Sequence, residues 1–236
     1  MRAKGFTLIE MVITLIVGAI LVLGIAGFVE LGARGYTDTI DRQRLQTQAK
    51  FVLEKMSREI RHAVPNLFRS QDNCVFFYPI VYSGFYALSG NDVEFIVGQR
   101  DDLNANSFDG LSLIINPTTN LGVRDDSIIL TNKVSVLANQ VFSLENEASN
   151  LRSESVAKRY YIFNRNQERS YCISAGVGQG RVERDGDALS DFVVIGTLNY
   201  IPATVQNNGV VRANLTFSQN GETTNFEQDI QVINVP

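Results

Sequence analysis

Three rhythms of apolar and polar residues follow one another along the chain. From Met11 to Val29, 19 consecutive residues carry no charge. About 20 apolar residues cross a bilayer as a helix, so this run predicts a transmembrane helix, with Glu10 at its mouth. From Tyr36 to Val64 the apolar residues Leu45, Ala49, Val52, Leu53, Met56, Ile60 and Val64 recur at spacings of 3, 4 and 7. That is the 3.6-residue period of a helix with one apolar stripe. Arg42, Arg44, Lys50, Lys55, Arg58 and Arg61 fall mostly between them, and Glu54 stands four residues before Arg58 in a favourable helical pair. Pro65 is expected to stop the helix, because the residue before a proline is pushed out of the α region. A continuous helix from Thr7 to Val64 would be about 85 Å long at 1.5 Å per residue.

After Pro65 the pattern changes to short strands with turn punctuation. The predicted strands are Val75–Tyr82, Val93–Val97, Leu111–Asn116, Ile128–Leu130, Val134–Val136, Arg159–Phe163, Tyr171–Ser174, Phe192–Ile195, Val210–Phe217 and Phe226–Ile233. Pro79 predicts that the first is an edge or an interrupted strand. Asn164 to Glu168 reads as a hairpin loop, and Asn220-Gly221 is a strong hairpin signal because both positions tolerate positive φ. The polar segment Gly98 to Gly110 reads as an exposed loop. The fold class predicted is α+β: one long N-terminal helix, its first half transmembrane and its second amphipathic, packed on an antiparallel β-sheet domain. The expected boundaries are a basic leader at 1–5, a membrane helix at 6–29, its amphipathic continuation at 30–64 and a globular β-rich domain at 65–236.

A carboxylate near a bilayer interior costs several kcal/mol, so Glu10 calls for a reason. A secretory signal peptide has a shorter apolar core, about 7 to 15 residues. A generic single-pass anchor fits the length of the run but explains neither Gly5-Phe6 nor Glu10. The order Arg2, Lys4, Gly5, Phe6-Thr7-Leu8-Ile9-Glu10 and then the apolar run resembles the N-terminal signature of type IV pilins and type II secretion pseudopilins. The resemblance implies cleavage after Gly5 by a prepilin peptidase, N-methylation of Phe6 and a globular domain exported to the periplasm. Arg2 and Lys4 on the cytoplasmic side agree with the positive-inside rule. In that family the carboxylate at the position of Glu10 pairs with the terminal amine of a neighbouring subunit, an ion pair that offsets the cost of burying a charge. The partners implied are other major and minor pilins, the peptidase and methyltransferase, the inner membrane and the pilus assembly platform.

Composition narrows the remaining classes. A net charge of −4 leaves no basic stripe of the kind nucleic acid needs. His62 is the only histidine, and nothing in the sequence places it beside a nucleophile as a hydrolase requires. It reads as a helix-end residue favoured by the C-terminal dipole, and no enzymatic activity is expected. Gly176-Val177-Gly178-Gln179-Gly180 lacks the Lys-Ser/Thr of a phosphate loop. Asp102, Asn104 and Asn106 alternate as in a calcium loop, but Ser107 replaces the turn glycine and Leu113 the bidentate Glu. No metal or other cofactor is expected. Cys74 and Cys172, in a domain read as exported, form the candidate disulfide; two buried thiols are the alternative.

The segment Arg44–Asn66, the Asn73-Cys74 strand start, the Ser83-Gly84-Phe85-Tyr86 stretch (read as a turn) and Ser170-Tyr171-Cys172 resemble the O-type minor pilin of mannose-sensitive haemagglutinin pilus biogenesis. They also resemble J-type minor pseudopilins and W-type minor pilins. The function implied is a minor pilin that initiates, caps or builds a pilus. A tip pseudopilin of a secretion system, or a membrane-tethered adhesin binding through Gly98–Gly110, is the alternative.

Overall fold

The computed structural model describes residues 5–98, 102–118, 127–174, 180–204 and 206–232. Arg2, Lys4, residues 99–101 of the predicted loop, Gly176 to Gln179 and Ile233 lie outside them. One helix, α1 (Leu8–Arg61), runs unbroken for 54 residues, about 81 Å at 1.5 Å per residue. It is followed by β1 (Ala63–Gln71), β2 (Cys74–Pro79), β3 (Tyr82–Ser89), β4 (Asp92–Val97), β5 (Ser112–Ile115), β6 (Ser127–Ile129), β7 (Val134–Val136) and β8 (Phe142–Leu144). Then come β9 (Arg159–Phe163), β10 (Arg169–Ile173), β11 (Val182–Arg184), β12 (Asp187–Ala188), β13 (Val193–Ile201), β14 (Val210–Gln219) and β15 (Glu222–Gln231). The described strands pair antiparallel throughout, so the α+β class holds.

The strands form three sheets where the sequence pattern suggests one. A five-stranded sheet has the order β1-β2-β10-β11-β12, a three-stranded sheet β13-β14-β15 and a seven-stranded sheet β6-β5-β9-β3-β4-β8-β7. The first two cover the second half of α1. Leu45, Ala49, Val52, Leu53, Met56 and Ile60 enter one core with Phe77 and Tyr171 from the five-stranded sheet and Val211, Leu215 and Phe217 from the three-stranded one. The seven-stranded sheet builds a second core of its own around Phe95, Phe108, Phe142 and Tyr160. A small seam of Val64, Leu67, Ile114, Tyr161 and Phe163 joins the two bodies.

Several local expectations give way to this arrangement. The helix ends at Arg61, with His62 as its cap, three residues before the predicted stop. Pro65 acts as expected on Val64, which leaves the α region, but Val64 and Pro65 then continue as β1 because Val64 is wholly buried in the seam. Pro79 ends an interior strand, β2, which is thus interrupted but is not an edge. Residues 164–168 do not close a hairpin, since β9 and β10 belong to different sheets. The Ser83–Tyr86 stretch is the body of β3. Gly84 is required there because Ile96 O stands 2.0 Å from where a Cβ would lie. The loop after β4 is not wholly exposed: a 3-10 turn (Ala105–Phe108) drops Phe108, fully buried, into the second core. The Asn220-Gly221 turn does link β14 to β15, with φ of 50° and 86°.

Candidate functional site

The head of α1 is organised by its own side chains. Thr7 is the N-cap, and its hydroxyl accepts the backbone N–H of Glu10 at 3.4 Å. The Glu10 carboxylate reaches back to accept the Thr7 N–H at 3.4 Å and the Thr7 hydroxyl at 3.3 Å. This reciprocal pair is a capping box, which satisfies two of the donors that every helix start leaves open. Thr-x-x-Glu before an apolar run is the signal for it, and considering Glu10 by its charge alone misses that signal. The box holds the carboxylate close to Phe6, the residue before the cap. At Gly5 there is open space where a Cβ would go, so nothing in the chain's own packing asks for glycine at that position.

Beyond the cap, the apolar half of α1 touches no other part of the described chain. Leu8, Ile9, Leu15, Ile20, Leu23 and Phe28 are all more than 60% exposed. By length and composition the helix can cross a membrane. A fully apolar, wholly uncovered helix is stable in lipid or against other helices, not in water. The bareness continues past Val29 through residue 39, and the first buried residue is Leu45.

The other two predicted site residues meet in the body of the domain. Cys74 opens β2, Cys172 lies directly opposite on β10, and their sulfurs are bonded with a Cα–Cα separation of 4.0 Å. The bridge therefore staples two adjacent strands that cover the helix. Beside it, Glu59 on α1 receives Arg184 Nε at 2.8 Å, and Arg184 Nη1 lies 3.3 Å from Asp185. Burial pushes the neighbouring Tyr171 phenol far above its ordinary pKa, and the Glu59 charge adds to the rise.

The remaining sequence candidates do not converge. His62 is exposed at the helix end, its backbone N–H bonded to Arg58 O and Glu59 O. Asn104 Oδ1 accepts the N–H groups of Asn106 and Ser107, so that oxygen caps the 3-10 turn. Asp109 is likewise engaged with the Asn132 N–H. Among the described residues no three His, Cys, Asp or Glu side chains cluster as metal ligands would. A groove of about 610 Å³ lies beside α1 and is lined by Ile40, Arg44, Thr47, Gln48, Phe192 and Gln219, among others. The sequence pattern does not announce it, because its walls come from segments some 150 residues apart.

In comparison with known proteins, residues 1–26 fit the family model described as the prokaryotic N-terminal methylation motif. No curated protein and no solved structure matches the chain. Over these residues the chain is similar to type IV pilin-like proteins, and the long apolar helix behind the motif is consistent with a membrane anchor.

Proposed function

We propose that this chain is a non-enzymatic minor pilin that helps initiate, cap or build a type IV pilus after cleavage between Gly5 and Phe6 and N-methylation of Phe6. The observation that carries the reading is the joint placement of Gly5, Phe6 and Glu10 at the head of a bare apolar helix under the methylation motif. Arg2 and Lys4 remain cytoplasmic in this reading, and the β domain is periplasmic. The resemblance of Arg44–Asn66 to the mannose-sensitive haemagglutinin minor pilins favours a pilus of that kind. Glu10 exchanges its local capping bonds for the terminal amine of a neighbouring subunit during assembly. Such an exchange keeps the carboxylate partnered as it enters an apolar environment, where an unpaired charge is costly.

The test is Glu10→Ala in the full chain. Membrane insertion is expected to be unchanged, while recovery in sheared filaments falls at least tenfold. Normal incorporation would sink the register role of Glu10. Loss of filaments on deleting the gene separates a biogenesis subunit from an adhesin, whose deletion leaves filaments that fail to attach. Intact filaments with failed protein secretion would point instead to a tip pseudopilin.

A further inference from the structure

The open edges of the three sheets are not alike. An edge strand leaves a row of N–H and C=O groups unpaired, and proteins ordinarily blunt it by shortness, proline or a bulge. β6 and β7 are three residues long and β12 two. β1 carries Pro65 and, at Asn66, a φ of 61°. On β13 the outward N–H of Val194 is taken by Gly180 O at 2.6 Å. β15 has none of these devices. It is ten residues long, about 34 Å at 3.4 Å per residue, and contains no Pro, Gly or Lys.

The ladder shows which groups of β15 are open. Val232 N–H bonds to Gly209 O at 2.9 Å, in line with the Val210–Gln231 register. Hydrogen-bonded pairs alternate along an antiparallel ladder, so Ile230, Gln228, Phe226, Thr224 and Glu222 also turn inward to β14. Thr223, Asn225, Glu227, Asp229 and Gln231 turn their N–H and C=O away from it, and their side chains are exposed. Among the described residues no other strand and no loop backbone meets these groups. Asp229 is held by Arg212 on β14 at 2.8 Å, and Glu222 meets Arg42 on α1 at 3.4 Å. Glu227, at the middle of the open edge, has no ion pair among the described residues.

We propose that the open edge of β15 receives an extended segment of a different protein, paired antiparallel and carrying a Lys or Arg beside Glu227. Free backbone groups at alternate residues select an extended chain, and Glu227 selects a cation across the new pair. A second copy of this chain does not fit. Antiparallel pairing of β15 with itself turns the copies about an axis normal to the sheet, which reverses α1 between them. Two chains anchored in one membrane cannot be so arranged; this choice of partner rests on the anchored reading above.

An alternating lysine–valine heptapeptide is the probe, added to the full chain in detergent micelles while amide hydrogen exchange is followed residue by residue. The N–H groups of Asn225, Glu227 and Asp229 are expected to exchange fast alone and at least tenfold more slowly with peptide. Those of Thr224, Phe226 and Gln228, already held in the ladder, should change little. Asn225→Pro removes an outward N–H and no ladder bond, so the strand persists while binding weakens at least tenfold. Glu227→Lys is expected to move the preference to a glutamate–valine heptapeptide. Unweakened binding to Asn225→Pro, or of a peptide methylated on alternate backbone nitrogens, means attraction by charge alone and overturns the proposal. Absence of protection at the outward amides overturns it too. Protection that grows with protein concentration without peptide makes a second copy the occupant and refutes the choice of partner. Recovery in the membrane fraction is scored alongside: absence there overturns the anchored reading, and with it the exclusion of a second copy, whatever the peptide does.

Discussion

The two halves of α1 share one backbone and one unbroken hydrogen-bond ladder, yet they meet opposite surroundings. In the second half, Leu45, Ala49, Val52, Met56 and Ile60 are fully covered by two sheets, while Arg44, Lys50, Arg58 and Arg61 face solvent. In the first half every face is apolar and none is covered. An amphipathic stripe is completed within the chain; an apolar surface all round needs lipid or other helices to complete it. The difference separates what holds the domain together from what is left for lipid or other helices to cover, and substitutions in the two halves should report on different measurements.

The largest expected effect lies with the sheet that covers the second half. Replacing Cys74 and Cys172 by serine removes a bridge between residues 98 positions apart. Loop-closure entropy puts the loss of domain stability at about 4–5 kcal/mol, read as a lower urea midpoint. Membrane insertion of the first half is expected to be untouched, and a matching loss of insertion would break the division between the halves. Within the helix, Met56→Ala empties a fully buried site and should destabilise the domain by about 2–5 kcal/mol. Leu21→Ala, 60% exposed on the bare half, should shift the same unfolding curve by no more than about 0.5 kcal/mol. Equal shifts at the two positions would contradict the comparison.

How far the structure is legible in the sequence follows the same division. The stripe Leu45 to Ile60 and the run Met11 to Val29 are readable because each keeps one period over many residues. β7 and β9 are readable end to end, and the Asn220-Gly221 turn carries its own chemistry. What escapes depends on distant partners. β1 is hidden because Pro65 lies inside it and Asn66 takes φ of 61°, breaking any alternation. β13 runs on to Ile201 although Gly196 interrupts its apolar pattern. Phe108 sits alone in a polar loop, so no periodicity announces that it fills the second core. The split into three sheets is a matter of which strands pair across long separations, which local pattern does not encode. At the site, Gly5, Phe6 and Glu10 stand out as a contiguous motif. The capping box lies in the pairing of Thr7 with Glu10, which the charge of Glu10 by itself does not reveal. The groove takes its walls from the folded chain and has no local sequence signal.

The N-terminal placement of Gly5, Phe6 and Glu10 carries the account, and the mature N-terminus of the membrane-extracted protein tests it most directly. Mass spectrometry should find a chain that begins at N-methylated Phe6, with residues 1–5 removed. An intact Met1, or a new N-terminus near Ala26, would contradict the account.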